Sequence, residues 1–316
     1  MDAFIPMLKN VIIFVCLAVP GYVLVKCGSL KQEHSGVLSK LLMYVGLPFM
    51  ILSGTLGVSL NEETIKYILI SAIFAVVITF ICLLLAKYLV IKKDTDKERG
   101  MMRFAEVFSN NGFLGLPIAA AVFGPTSLVF TAVVIFNIIN NVMLYTIGVY
   151  LVSCDKRTIN LKNVLLNPVL IAFLIGIILN LLGVVKLLPE VSVYSDHLKN
   201  VVTPLSMTIL GMKMGAVKIS AIFKSSKTYY VSAVKLVLFP VIATAIAFGV
   251  NAIYQIGSDM IISVFIAFSM PTAGLASAFA DRYDGDTNGA VIYTLGTTIF
   301  SVATIPLLYL LLCALL

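Results

Sequence analysis

Charge-free hydrophobic segments alternate with short polar connections along nearly the whole chain. No Asp, Glu, Lys or Arg occurs from residue 107 to residue 154, and other charge-free runs cover 41–61, 67–86, 163–185, 236–258 and 287–316. About 20 apolar residues let a helix cross a bilayer, and a helix satisfies its own backbone there. The pattern predicts ten spans, at about 4–25, 37–57, 65–89, 101–123, 127–152, 164–184, 197–215, 229–250, 259–281 and 288–314.

Composition agrees with an all-α integral membrane protein. The chain is 60% hydrophobic and 12% charged, with a mean hydropathy of +1.06, whereas soluble domains carry about 25% charged residues. The five cysteines form no Cys-x-x-Cys pair, so we expect neither a disulfide nor a metal site. The first residues have no basic segment before the apolar run, so we interpret them as the start of span 1 rather than as a removable signal.

The positions of Lys and Arg predict the orientation. If the connection after span 1 is cytoplasmic, the basic residues concentrate on that side, and the outer side holds only Lys9, Lys66, Lys186 and Lys199. The positive-inside rule then places both termini outside the cell membrane. The net charge of +7 therefore reflects cytoplasmic loops, and we expect the lipid bilayer rather than nucleic acid as a partner.

Prolines occupy corresponding positions in the two halves of the chain. Pro48 and Pro117 lie in the second and fourth spans, and Pro204 and Pro271 lie in the second and fourth spans of the later half. Because each half has five spans, the second half enters the membrane in the opposite sense. This predicts two inverted five-helix repeats, 1–153 and 154–316, that form one membrane domain, a construction common in secondary transporters. Chance spacing of prolines is the alternative.

Two spans are interrupted at corresponding places. Span 4 contains SNNGFLGLPI at 109–118, and span 9 contains SMPTAGLAS at 269–277. Proline removes a helical hydrogen bond and glycine weakens a helix, so both helices should unwind. Freed amide groups and helix N-termini attract anions. Asn110 and Asn111 add amide donors, Ser269 and Thr272 add hydroxyls, and the glycines let a ligand approach the backbone, unless these residues only stabilise a kink.

Several of these segments resemble a known family. The stretches Gly21–Thr55, Ser109–Gly124 and Lys235–Ile242 are similar to the auxin efflux carrier family, with Asn-Gly-x-Leu-Gly-x-Pro as the most specific part. The resemblance implies a ten-span carrier of small organic anions, such as malate, malonate or auxin-like carboxylates. It also implies that helices 4 and 9 unwind and cross near the membrane centre, and that transport involves an elevator-like movement. The substrate-binding residues that the resemblance implies at this crossing are Asn110, Asn111, Gly112 and Pro117 in the first half, and Ser269, Pro271, Thr272 and Gly274 in the second.

Two polar stripes accompany the interrupted spans. Span 5 carries Asn137, Asn140 and Asn141 on one helical face, and span 10 carries Thr297 within a similar stripe of Thr294, Thr298 and Ser301. These side chains would either line the substrate cavity or hydrogen-bond neighbouring helices, which is the commoner use in membranes. We include Asn137, Asn141 and Thr297 among the binding candidates.

Three charged residues are candidates for coupling or for charge compensation. Lys235 lies inside span 8, where it would either neutralise a substrate carboxylate or, as we favour, extend to the cytoplasmic headgroups. Glu106 and Asp281 lie in or near spans 4 and 9, and acids there can carry protons. Both are also near enough to the cytoplasmic edge to be simply solvated.

The sequence favours a permease that works by alternating access. An enzyme is not expected, because His34 and His197 fall on opposite sides of the membrane and no catalytic motif occurs. An anion channel or a transporter-derived sensor is the alternative. We expect no cofactor, leave H⁺ and Na⁺ open as coupling ions, and leave a homodimer open as the assembly.

Overall fold

The computed structural model describes residues 4–89, 94–159, 162, 165–216 and 219–316, and these are overwhelmingly helical. In the first half the helices are α1 (Phe4–Lys26), α2 (His34–Leu41), α3 (Leu47–Gly57), α4 (Glu62–Tyr88), α5 (Asp96–Val107), α6 (Leu116–Phe123), α7 (Leu128–Met143) and α8 (Val149–Ser153). Within the described residues, β-type pairing is limited to one isolated bridge.

The described helices of the second half vary widely in length. They are α9 (Pro168–Leu181), α10 (Val184–Leu187), α11 (Glu190–Lys199), α12 (Val202–Ala216), α13 (Ile219–Lys224), α14 (Ser226–Ala233), α15 (Phe239–Tyr254), α16 (Ser258–Ser269), α17 (Ala276–Arg282) and α18 (Thr287–Leu315).

Within the described residues, five helical stretches are long and apolar enough to cross a membrane by themselves. They are His34–Gly57, Glu62–Tyr88, Leu128–Ser153, Ser226–Tyr254 and Thr287–Leu315. Shorter apolar helices cover Ile12–Lys26, Asn111–Phe123, Pro168–Leu181 and Ser258–Ser269. The all-helical membrane class predicted from hydropathy is confirmed at this level, and the inverted arrangement of ten spans stays a prediction.

One predicted boundary is wrong. The sequence placed the start of span 7 at residue 197, but α11 ends at Lys199 and α12 begins at Val202. A polar helix therefore precedes the apolar one, and Asp196 on it accepts hydrogen bonds from Ser53 at 2.7 Å and from Lys199 at 2.6 Å. Hydropathy alone merged the end of this polar helix with the span that follows.

Some prolines follow a change in helical winding, although Pro20 and Pro306 lie inside α-helices and no proline follows the π-helical turn Leu144–Gly148 closely. Three π-helical turns each end two residues before a proline, namely Leu42–Gly46 before Pro48, Asn111–Gly115 before Pro117 and Val234–Leu238 before Pro240. Proline has no N–H for the usual helical bond and its ring crowds the preceding turn. A wider turn relieves that conflict while the chain stays helical.

The described chain divides into two compact units, and each combines segments from both sequence halves. The first unit comprises Met1–Leu69, Gly112–Val134 and Leu165–Lys218. Within it α1 packs closely against α12, because glycines let the two backbones approach. A Cβ atom at Gly21 would collide with the Thr208 carbonyl, and one at Gly211 would collide with the Ala18 carbonyl.

The second unit comprises Ile70–Asn111, Ile135–Val164 and Ile219–Leu316. Within it α5 starts at a capping box, in which Thr95 and Glu98 satisfy each other's backbone amides,. The same helix packs against α8 at Gly100, where a Cβ atom would meet the Leu151 carbonyl. This unit contains both interrupted helices at their points of interruption.

Candidate functional site

Both interruptions occur inside the segments that the sequence singles out. Helix α5 ends at Val107, and helical winding resumes at Asn111. Helix α16 ends at Ser269, and α17 begins at Ala276. Pro271, Thr272 and Gly274 therefore lie in non-helical backbone, and Ser269 is the last helical residue before it.

Two binding candidates of the first segment lie beyond the non-helical backbone. Gly112 lies in the π-helical turn and Pro117 lies in the first turn of α6. Proline is tolerated in a first turn, which is why it does not extend the break. Both residues also belong to the first unit, whereas Asn110 and Asn111 belong to the second.

The two non-helical segments pair with each other as a short antiparallel bridge. Ser109 and Thr272 are the bridged residues. The amide of Asn110 donates to the carbonyl of Pro271 at 2.7 Å, and the amide of Ala273 donates to the carbonyl of Phe108 at 2.8 Å. Backbone groups released by unwinding are thus satisfied across the interruption, as burial requires.

The polar stripes on α7 and α18 hold this bridge from its sides. Asn140 accepts a hydrogen bond from the Ser109 amide at 3.3 Å and donates to the Ser109 carbonyl at 3.1 Å. Thr297 accepts from the Thr272 amide at 3.1 Å. The Thr272 hydroxyl donates to the Ala105 carbonyl at 2.8 Å. The stripes therefore support the interruption by hydrogen bonding between helices.

This pairing changes the expected source of ligand contacts. The sequence pointed to free amide groups as anion donors, but the amides of Asn110, Thr272 and Ala273 all have partners inside the protein. Donors for a ligand must come mainly from side chains. The Ser269 hydroxyl is also used locally, because it donates to the Ile266 carbonyl at 3.3 Å.

Polar side-chain atoms next to the bridge remain without partners among the described residues. They are Oδ1 of Asn111, Nδ2 of Asn137 and Oγ1 of Thr294. The side chains of Asn111 and Asn137 are 3% and 2% exposed, and Asn141 donates to the Asn137 oxygen at 3.3 Å. Buried polar groups normally find partners, so these carboxamides are the best-placed groups to meet a ligand.

The headgroup position favoured for Lys235 is wrong. Its side chain is 0% exposed, and its ammonium group donates to the Val107 carbonyl at 3.1 Å and to the Ser109 hydroxyl at 2.6 Å. A cation at the C-terminal end of α5 is favoured by the helix dipole. Lys235 thus places its terminal nitrogen against two oxygen acceptors at the first interruption.

The two acidic candidates occupy different environments. Glu106, in the last turn of α5, is 0% exposed, so the alternative that it is solvated is wrong. Asp281, near the end of α17, is exposed as that alternative expected. Only the first of these two carboxyl groups is buried near the bridge.

Sequence reasoning missed two supporting residues. In the sequence Ser109 is only the first residue of a motif, and Asn140 is one of three asparagines in a stripe. Their contacts link α5, α7 and the π-helical turn at Val234–Leu238, over sequence separations of 31 and 126 residues. The shared spacing of the stripe and the break was the available signal, but it does not identify which asparagine reaches the backbone.

Comparisons with known proteins identify the kind of molecule. The model of a family described as membrane transport protein matches residues 6–309, which confirms the predicted family resemblance. An uncharacterized transporter of Methanothermobacter thermautotrophicus is 26% identical over 95% of this chain and 96% of its own length. An uncharacterized transporter of Methanocaldococcus jannaschii is 25% identical over 94% of this chain and 96% of its own length.

Proposed function

Because the chain belongs to the membrane transport protein family, we propose that it is a secondary transporter that moves small organic anions across the cell membrane. The substrates in this proposal are small carboxylates, either dicarboxylates or auxin-like acids. The observation that carries it is the bridge between Ser109 and Thr272, beside which the buried Lys235 ammonium and two incompletely paired asparagines lie.

Charge and hydrogen bonding favour an anion at this position. Lys235 provides a positive charge that is held away from solvent, where electrostatic attraction is stronger than in water. The Asn137 amide offers an unpaired donor, and the Asn111 carboxamide can present either its oxygen or its nitrogen after a half-turn. A carboxylate accepts hydrogen bonds from such donors through both oxygens.

Alternating access is the mechanism we propose. The residues that hold the bridge by hydrogen bonds, Ala105 on α5, Asn140 on α7 and Thr297 on α18, all belong to the second unit. Movement of this unit as one body would carry a bound anion without breaking the contacts that form the site. In this proposal ten spans form two inverted repeats, both termini are outside the cell, and no cofactor, nucleic acid or catalytic step is involved.

A single substitution tests the binding assignment. Asn111→Ala should abolish ligand-induced thermal stabilisation across a panel of lactate, indole-3-acetate, malonate and malate, while the unliganded protein stays folded. Loss of one buried hydrogen-bonding group costs about 1–3 kcal/mol, which corresponds to roughly a tenfold to hundredfold loss of affinity. Asn200→Ala, at an exposed position, is the matched control and should behave as wild type. Wild-type affinity in Asn111→Ala would refute the assignment.

An anion channel or a transport-derived sensor is the competing function. Channels depend on a continuous polar path, whereas the unpaired groups described above concentrate beside the bridge. Uptake of a radiolabelled carboxylate into proteoliposomes that saturates with concentration would support the carrier. Ohmic single-channel currents would support the channel, and binding without either transport or current would support the sensor.

A further inference from the structure

Glu106 places a carboxyl group inside the second unit without giving it a hydrogen-bond partner. The side chain is 0% exposed, and neither carboxyl oxygen is hydrogen-bonded to any described residue. An ionised carboxylate that lacks hydrogen bonds in such surroundings is far less stable than the neutral acid. Burial therefore favours the neutral acid at Glu106, unless a nearby positive charge compensates the carboxylate.

The groups around Glu106 define the charge that its ionisation would meet. Arg103, one turn earlier on α5, and Lys235 are the cations that act on its carboxyl group. Arg103 is partly exposed, so solvent screens its charge, whereas Lys235 is fully buried. The elements packed against α5 carry other titratable or charged side chains. They are Tyr150 on α8 and Cys154 after it; Lys227, Tyr229 and Tyr230 on α14; Asp281 and Arg282 on α17; and Tyr293, Tyr309 and Cys313 on α18, with Asp286 as the N-cap of α18.

Several of these groups form ion pairs with other residues or are exposed to solvent. Lys227 pairs with Asp94 at 2.7 Å and with Glu98 at 3.4 Å. Asp281 and Arg282 are exposed. The buried charges nearest the bridge are therefore the Lys235 ammonium and, when it ionises, the Glu106 carboxylate. Together they amount to one positive charge when Glu106 is protonated and to none when it is ionised.

The position of Lys235 also bears on sodium. Carbonyl and hydroxyl oxygens are the ligands that hard cations prefer, and the Val107 carbonyl and the Ser109 hydroxyl are two such oxygens. The Lys235 ammonium already binds both. A sodium ion there would have to approach a fixed positive charge, so the protein itself supplies the cation at this end of α5.

From this arrangement we propose that Glu106 is the proton-binding site of the carrier, and that one proton moves together with one monovalent carboxylate. The inference rests on the proposed transport function and specifies its coupling ion and substrate charge. With proton and anion bound, the charges of Lys235 and the anion cancel. With both absent, Lys235 and ionised Glu106 cancel.

Electroneutrality explains why the two ligands move together. The anion without the proton leaves one net negative charge in the buried site, and the proton without the anion leaves one net positive charge. Transfer of an uncompensated charge into a low-dielectric interior is strongly unfavourable. On one side the Glu106 carboxylate takes a proton from water as the anion binds. On the other side the O–H bond breaks, the proton returns to water and the anion leaves, without any transfer of electrons.

Infrared difference spectroscopy on the full chain in lipid nanodiscs tests the proton site without a ligand. The wild-type spectrum should contain the carbonyl stretch of a buried carboxylic acid that disappears when the pH is raised. Glu106→Gln should lack this band. Glu63→Gln, which changes an exposed carboxylate at the start of α4, should retain it. An acid band of equal size in wild type and Glu106→Gln would overturn the proposal.

Transport in proteoliposomes tests the coupling. With radiolabelled lactate and a gradient of one pH unit, acid outside, one-to-one coupling predicts about tenfold accumulation, since one pH unit equals about 1.36 kcal/mol. Protein-free liposomes correct for diffusion of lactic acid. Glu106→Gln should lose the accumulation but still exchange internal for external lactate, and Glu63→Gln should accumulate as wild type. Lys235→Gln should lose saturable uptake.

The dependence of transport on sodium, on membrane potential and on Glu106 decides between this proposal and the alternatives. Lactate accumulation that is unchanged by a sodium gradient and by a valinomycin-imposed membrane potential supports electroneutral proton coupling. Accumulation that needs sodium, or that survives in Glu106→Gln, overturns it. If wild type takes up neither lactate, indole-3-acetate, malonate nor malate, the carboxylate-carrier function itself fails, and the infrared band then reports on the proton site separately.

Discussion

Asn140 gives the sharpest test of how the interrupted helix is held. Its carboxamide makes two hydrogen bonds to the backbone of Ser109. The oxygen accepts from the Ser109 amide at 3.3 Å, and the nitrogen donates to the Ser109 carbonyl at 3.1 Å. Both residues are buried. Asn140→Ala removes both bonds at once and leaves the two Ser109 backbone groups buried without these partners.

The expected cost follows from the two backbone groups left behind. A buried donor or acceptor that loses its partner costs about 1–3 kcal/mol, so two such groups cost about 2–6 kcal/mol. The longer bond is the weaker one, and we therefore expect about 2–4 kcal/mol. At roughly 2–4 °C per kcal/mol, Asn140→Ala should unfold at least about 4 °C below wild type.

The chain offers its own probe for this measurement. It has no tryptophan, but Cys82, on α4 within the second unit, is buried. After the exposed cysteines Cys16, Cys27 and Cys154 are blocked with a non-fluorescent maleimide under native conditions, a thiol-reactive dye reports release of Cys82 on heating. Hydrogen exchange of the Ser109 amide gives an independent local readout.

Controls separate the specific effect from a general loss of stability. Asn200→Ala changes an exposed asparagine and should unfold as wild type does. Asn140→Ala should also speed exchange at Ser109 more than at Gly100, which lies in the regular part of α5. If Asn140→Ala melts at the wild-type temperature and Ser109 keeps its protection, the hydrogen bonds to Asn140 do not hold the interruption.

Two further predictions concern α5. Gly100→Val should prevent α5 from packing against α8, because even a Cβ atom collides with the Leu151 carbonyl. Overpacking costs about 1–3 kcal/mol or more, so Cys82 should become reactive at a lower temperature. Melting at the wild-type temperature would contradict this prediction. Hydrogen bonds from Thr95 and Lys227 lower the pKa of Glu98, so their stabilisation is present above the unfolded pKa of about 4.3 and is lost as pH falls through the lower folded value. Amides in the first turn of α5 should then exchange faster in acid, relative to the intrinsic rate, and Glu98→Gln should remove this pH dependence.

Local sequence signals determined where the helices lie and where two of them are interrupted. Long apolar runs predict helices in a bilayer because unpaired backbone is costly there. The clusters around Asn111 and Thr272 predict interruptions because proline and glycine act on neighbouring turns. Family membership was also accessible, since the Asn-Gly-x-Leu-Gly-x-Pro segment is a continuous motif. These features depend on residues close together in the chain.

Tertiary structure decided what the interruptions contact. The sequence could not tell that Asn140 rather than Asn141 reaches Ser109, that freed amides donate to carbonyls of the other non-helical segment, or that winding resumes before Pro117. Depth in the span suggested that Lys235 extends to the headgroups, but its partners lie 126 and 128 residues away in sequence. Hydrogen bonds are short and directional, so their partners depend on how helices distant in the chain pack together. Because of that packing, Lys235 and Glu106 are both buried inside the protein near the bridge.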